Sequence, residues 1–175
     1  MDESVIPECF VDTNLLETLV PPNARYNHQK GCGTVTKVMK ERFAERFALG
    51  IIDKDKYEVD YLKEFEEVCS YGSLILHKHK SRHHYIIQIN PAIERFILNC
   101  ADVVGISLRD FNLPTNFELL KKESKTVISK KDERFKKLFK SLKHHQAPEI
   151  IKLGSWISYL KEKNYKADMT ILKRL

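Results

Sequence analysis

Two aspartates one residue apart, Asp53-Lys54-Asp55, follow the continuous apolar run Phe47-Ala48-Leu49-Gly50-Ile51-Ile52. Carboxylates held this close together are suited to a hard divalent cation such as Mg²⁺ or Mn²⁺, which takes oxygen ligands and keeps several waters. A further acid, Asp12, follows the strand-like run Glu8-Cys9-Phe10-Val11. Ligands of a parallel α/β sheet bind beyond the C-terminal ends of its strands. The spacing therefore predicts one crevice in which Asp12, Asp53 and Asp55 hold metal, and phosphoester chemistry is the usual use of such a site. Glu17, on the helix after Asp12, and Glu94, at the start of a later helix, are candidate assisting carboxylates. The plainer alternatives are a solvated turn at Asp53-Lys54-Asp55, helix capping by Asp12, an exposed helix face for Glu17 and a favourable helix dipole for Glu94.

Basic residues cluster in two places. Lys78, Lys80 and Arg82 lie with His77, His79, His83 and His84 about a turn between two strand-like runs, and suit phosphate contact better than zinc, since no cysteine or carboxylate stands at ligand spacing. Lys136, Lys137 and Lys140 belong to a helix with the apolar stripe Phe135, Leu138, Phe139 and Leu142, and its basic face suits a nucleic-acid backbone or a solvated surface. Gly31-Cys32-Gly33-Thr34 lacks the Gly-Lys-Ser/Thr ending of a phosphate loop. Cys32 has no evident His or Asp partner for nucleophilic catalysis.

The elements that must position these residues follow from periodicity. A strand, a turn and a helix through Leu15, Leu16 and Leu19 open the chain, and Pro21-Pro22 ends that helix. Thr34 caps a helix carrying Val35, Val38, Met39 and Phe43, which leads into the buried strand before Asp53. Tyr61, Phe65 and Val68 recur at helical spacing. Leu74-Ile75-Leu76 and Tyr85 to Ile89 read as strands joined by a basic turn, and Asn90-Pro91 leads to a helix with Ile93, Phe96, Ile97 and Cys100 on one face. This alternation implies α/β architecture with a mostly parallel sheet flanked by helices over residues 1–112. Beyond Asn112-Leu113-Pro114 only amphipathic helices follow, so 113–175 reads as a helical extension packed on the sheet domain.

With these motifs in place, residues 5–105 resemble the Toprim domains of topoisomerases, primases and OLD-type nucleases. The resemblance rests on an acid after the first strand, a strand-helix-strand path, Asp53-Lys54-Asp55 at the Asp-x-Asp motif, and Asn90-Pro91-Ala92-Ile93-Glu94 at a strand-to-helix junction. It implies a Toprim-like fold and a Mg²⁺ or Mn²⁺ site. The family has glutamate followed by glycine after its first strand, whereas this reading places Asp12 and Thr13 there. Phe10-Val11-Asp12-Thr13-Asn14-Leu15-Leu16 also resembles the opening of PIN-domain ribonucleases, a weaker match that implies the same metal and substrate chemistry.

The 175 residues, 42% hydrophobic and 31% charged, are a globular composition able to bury a core. A formal charge of +6 and a pI near 9.0 favour polyanionic partners. Cys9, Cys32, Cys69 and Cys100 are scattered and read as reduced thiols. No apolar leader and no run of roughly 18 apolar residues is present, so the expectation is a cytoplasmic protein without membrane contact. The function expected is Mg²⁺- or Mn²⁺-dependent phosphodiester hydrolysis on nucleic acid. The alternative is a non-catalytic Toprim-like module binding nucleic acid or a protein partner, in a setting such as toxin-antitoxin or phage defence.

Overall fold

Residues 2–54 and 59–175 are described by a computed structural model. β2 (Ala48–Asp53) is an interior strand of the sheet and is buried on both faces. Its side chains alternate as a strand's two-residue period requires: Leu49 and Ile51 enter one apolar cluster, Ala48 and Ile52 the other. β1 (Val5–Pro7) and β5 (His84–Ile89) flank β2 and both run parallel to it. Beyond β5 lie β4 (Leu74–His79) and β3 (Phe65–Tyr71), so the strand order is β1-β2-β5-β4-β3.

The sheet is mixed, correcting the mostly parallel sheet expected from sequence. Two of its pairings are parallel and two, β3 with β4 and β4 with β5, are antiparallel. The difference arises at Tyr61 to Tyr71. A short 3-10 turn over Asp60–Glu64 replaces the expected helix, and β3 follows at once. Glu66 lies opposite Lys78 and Glu67 opposite His77, cross-strand pairs that favour the hairpin. Gly72 supplies the left-handed φ of 57° that its two-residue turn needs.

The first helices also shift. α1 (Phe10–Leu19) begins where a strand is expected, because Cys9 caps it: the Asp12 amide donates to Cys9 Sγ at 3.4 Å and the Cys9 amide to Asp12 Oδ2 at 3.0 Å. Each end of this reciprocal box satisfies a donor that a helix start leaves open. The strand moves upstream to Val5–Pro7. Its outer side is bonded by the following segment, Asn27 donating to Val5 O and Gln29 to Pro7 O, both at 3.0 Å. At the opposite edge, β3 carries a bulge between Glu67 and Cys69.

α2 (Cys32–Arg42) covers one face of the sheet through Val35 and Met39. The other face is covered by α1 with α3 (Ile93–Val103), α4 (Phe117–Ser124), α5 (Glu133–His144), α6 (Pro148–Lys163) and α7 (Met169–Arg174), all of which supply side chains to a single cluster. The C-terminal helices thus share the core of the sheet, and Trp156 on α6 donates to Leu172 O on α7 at 3.0 Å. Among the described residues no helix is long and apolar enough to cross a membrane.

A second polar network, at the start of β5, holds the chain on the α2 side. His84 is fully buried, with Nδ1 2.6 Å from Tyr61 Oη and Nε2 3.1 Å from Phe43 O. The carbonyl can only accept, so Nε2 carries the proton and Nδ1 takes the tyrosine's. Burial lowers the His84 pKa and keeps the ring neutral.

The approach of α2 to β2 is close at Gly50, where a Cβ would lie 2.9 Å from Met39 Sδ and 3.1 Å from Val35 Cγ1. Gly50→Val is expected to cost about 1–3 kcal/mol through overpacking despite valine's preference for strands, measured by urea unfolding. An unchanged midpoint would show that α2 is not packed as described.

Candidate functional site

Because β1 stops at Pro7, the acid that follows the first strand is Glu8. Its amide continues the ladder by donating to Ile51 O at 3.0 Å, which carries it beside the end of β2. There Asp53 N donates to Glu8 Oε2 at 2.9 Å, and Asp53 Oδ1 accepts from Ile93 N, at the start of α3, also at 2.9 Å. Asp12 stands in the first turn of α1 and Glu94 in the first turn of α3. Four carboxylates, from Glu8, Asp12, Asp53 and Glu94, thus gather beyond the C-terminal ends of the parallel strands β1, β2 and β5.

Asp12 and Glu94 are almost fully buried, at 1% and 3% exposure. Glu94 Oε1 accepts from Ser124 Oγ at 2.5 Å. Asp12 Oδ2 accepts from the Cys9 amide, but Asp12 Oδ1 is buried without a hydrogen-bond partner. A charged oxygen in that position is costly to leave unsolvated. Burial is accordingly the largest cause raising the Asp12 pKa, to about 6, against hydrogen bonds from Cys9 and with repulsion from Glu94. Asp53 is pushed up to about 9, first by burial and then by the charges of Asp12, Glu8 and Glu94, while the Ile93 amide acts in the opposite direction. Burial, with Asp12 next, also raises the Cys9 thiol well above its ordinary range, so Cys9 stays protonated and serves as a cap.

As the side chains stand, no three or more histidines, cysteines, aspartates or glutamates among the described residues form a set able to hold a metal ion. The hydrogen bonds give the reason. At least one oxygen of each acid is engaged by Cys9 N, Asp53 N, Ile93 N or Ser124 Oγ rather than directed at a shared point.

The sequence-predicted residues are divided by the fold. Asp12, Asp53 and Glu94 come together, while Asp55 lies outside the described residues. Glu17 is five positions after Asp12, about 140° round the helix, and lines a groove with Asn14, Thr18, Lys130 and Lys131. Lys78, Lys80 and Arg82 surround the β4–β5 turn, at the opposite end of β5 from Asp53, since Ala48 lies beside His84 and Asp53 beside Ile89. The separation is roughly 17 Å along the strand. Lys78 is also engaged locally, donating to His79 O at 3.0 Å and Arg82 O at 3.2 Å. Lys136 pairs with Glu133, and Lys137 and Lys140 are exposed on α5.

Two residues at the crevice escape the sequence reading. Glu8 is hidden by reading the strand too late; Val5-Ile6 before it and the Cys9-to-Asp12 capping spacing are the signals that expose it. His28, whose Nδ1 is 3.1 Å from Thr13 Oγ1 and whose ring stacks on Phe10 at 4.4 Å, arrives from the segment bonded to β1 and has no local signature. The Asp12-Thr13-Asn14 words lie within α1: Thr13 Oγ1 donates to Cys9 O, and Asn14 Nδ2 donates to Ser129 O and Asp132 O.

Comparison with protein-family models, with curated proteins and with solved structures finds no match to this chain.

The raised Asp53 pKa has a definite sign. Its folded-state value lies above the ordinary 3.8, so between about pH 4 and 9 the folded chain binds more protons than the unfolded one and loses stability as pH rises. In EDTA, Asp53→Asn, which keeps an oxygen for Ile93 N, is expected to unfold at higher temperature than wild type, with a gain that widens from pH 5 to pH 8.5. A gain that stays constant, or a loss at pH 8.5, would contradict the crowded-acid description.

Proposed function

We propose that the chain carries out Mg²⁺- or Mn²⁺-dependent phosphodiester hydrolysis on nucleic acid, with Glu8, Asp12, Asp53 and Glu94 as its acidic site. The observation that carries this reading is the gathering of these acids at the strand ends, with Asp12 Oδ1 buried and unsatisfied. The donor set is of the kind a hard cation takes, since all four groups are carboxylates. Glu8 at the end of β1 also supplies the residue type that the Toprim resemblance implies there, with Asp53 at the first position of Asp-x-Asp.

Within this reading Asp12 and Asp53 are the principal ligands, Glu8 orients Asp53 through its amide, and Glu94 completes the acidic wall. Asp53 would give up its proton to hold a cation, because its raised pKa reflects burial and negative charge that the cation would offset. A bound ion would polarise the scissile phosphate and promote attack by water at neutral pH. Burial of Asp12 and Glu94 limits water at the back of the crevice.

The alternative, a non-catalytic binding module, draws support from carboxylates that, as they stand among the described residues, form no metal-holding set and each accept from a neighbouring amide or hydroxyl. Calorimetry and cleavage assays separate the two. The enzyme reading expects Mn²⁺ binding with proton release near pH 7.5, cleavage of labelled oligonucleotides, and loss of cleavage by more than ~100-fold in Asp53→Ala and Asp12→Asn. Glu66→Gln, exposed on β3 at the far edge of the sheet, is expected to cleave within about twofold of wild type. Nucleic-acid binding without metal uptake or cleavage would favour the binding module.

A further inference from the structure

We propose that residues 125–131 form a platform for an unpaired nucleic-acid strand at the rim of the acidic crevice, with Val127 and Ile128 against its bases and Lys125, Lys130 and Lys131 near its phosphates. This rests on the crevice being a phosphodiester site and adds to it a preference for single strands.

Val127 and Ile128 are 70% and 76% exposed, yet the backbone that presents them is firmly held. Ser129 is buried between them and α1, its Oγ donating to Ser124 O at 2.6 Å and to Thr126 O at 2.7 Å. Asn14 Nδ2 donates to Ser129 O at 2.8 Å and to Asp132 O at 3.1 Å. Adjacent branched apolar side chains fixed in water by a bonded framework are the pattern of a contact surface.

Charge specifies the occupant. Lys125, Lys130 and Lys131 form no ion pair among the described residues, although Lys136 in the adjoining groove pairs with Glu133. Three lysines without an ion pair, two of them in a groove shared with Glu17 and Glu133, beside two apolar side chains complement a strand that offers both phosphates and base faces. A duplex stacks its base faces out of reach.

Position links this surface to the acids. Ser124, immediately before the platform, donates to Glu94 at 2.5 Å, and its carbonyl accepts from Ser129 Oγ within the platform. Lys130 is near enough to His28 to help lower that imidazole's pKa, after burial, and His28 bonds Thr13. A strand seated on the platform would therefore lie alongside the crevice.

Fluorescence polarisation in EDTA, using labelled oligo-dT, oligo-U and a duplex of equal length, tests the proposal independently of cleavage. Wild type is expected to bind a single strand at least about tenfold more tightly than the duplex. Val127→Ser/Ile128→Ser, at exposed positions and checked for folding by circular dichroism, should weaken single-strand binding about tenfold with the salt slope unchanged. Changing Lys125, Lys130 and Lys131 to Gln should flatten the slope of log K against log salt by about 2. Equal affinity for duplex, wild-type affinity in both variants, or a loss confined to self-association on size exclusion would overturn it. If wild type cleaves nothing with Mn²⁺ while these binding losses appear, the acidic-site reading fails and the platform stands. If both variants cleave with wild-type KM, the platform fails and the acidic site stands.

Discussion

Asp53 is held at the end of β2 by two hydrogen bonds of opposite sense: its amide donates to Glu8, and its carboxylate accepts from the first amide of α3. This arrangement ties three parallel strands together at one point, because Glu8 follows β1, Asp53 ends β2 and α3 follows β5. Carboxylates that would separate in water are kept side by side by the backbone donors around them. The sheet supplies those donors only where parallel strands end together, so β2, buried and paired on both sides, is the element on which the crevice depends.

The same crowding is unfavourable for the fold. A buried acid with no bonded partner for one oxygen, and a neighbour pushed far above the usual carboxylate range, are tensions that apolar replacements would remove. His84, between Tyr61 and Phe43 O, and Trp156, with Leu172 O, are buried polar groups that are well partnered, while Asn27 Nδ2 and Arg82 Nη1 are buried without a hydrogen bond, as Asp12 Oδ1 is. The crowding of four acids at one point marks a part of the molecule whose residue types are poorly explained by stability alone.

Much of this was legible in the sequence where periodicity was long. The apolar run before Asp53, the two strands flanking the basic turn, and the helices starting near Asp132 and Pro148 emerge as β2, β4, β5, α5 and α6. Short or unusual signals misled. Cysteine is an uncommon helix cap, so the strand was placed over residues that begin α1, and Asp12 was given the place that Glu8 occupies. Tyr61, Phe65 and Val68 matched a helix by spacing, but the Gly72-Ser73 turn and the facing charges of β3 and β4 favour a hairpin. Of the candidate site, Asp53 was legible as a strand end and Glu94 as a helix start, whereas Asp12 reaches the crevice from α1 and not from the strand end that singled it out. The distance of Lys78 and Arg82 from these acids was not legible, because it depends on the direction in which β5 runs.

The segment that carries His28 has an effect beyond the crevice. By bonding along the outer side of β1 it occupies the carbonyls of Val5 and Pro7, acceptors that an edge strand would otherwise offer to another chain. The far edge is protected differently, by the bulge and exposed glutamates of β3. Each edge of the sheet thus carries a feature that discourages pairing with a second copy of the chain.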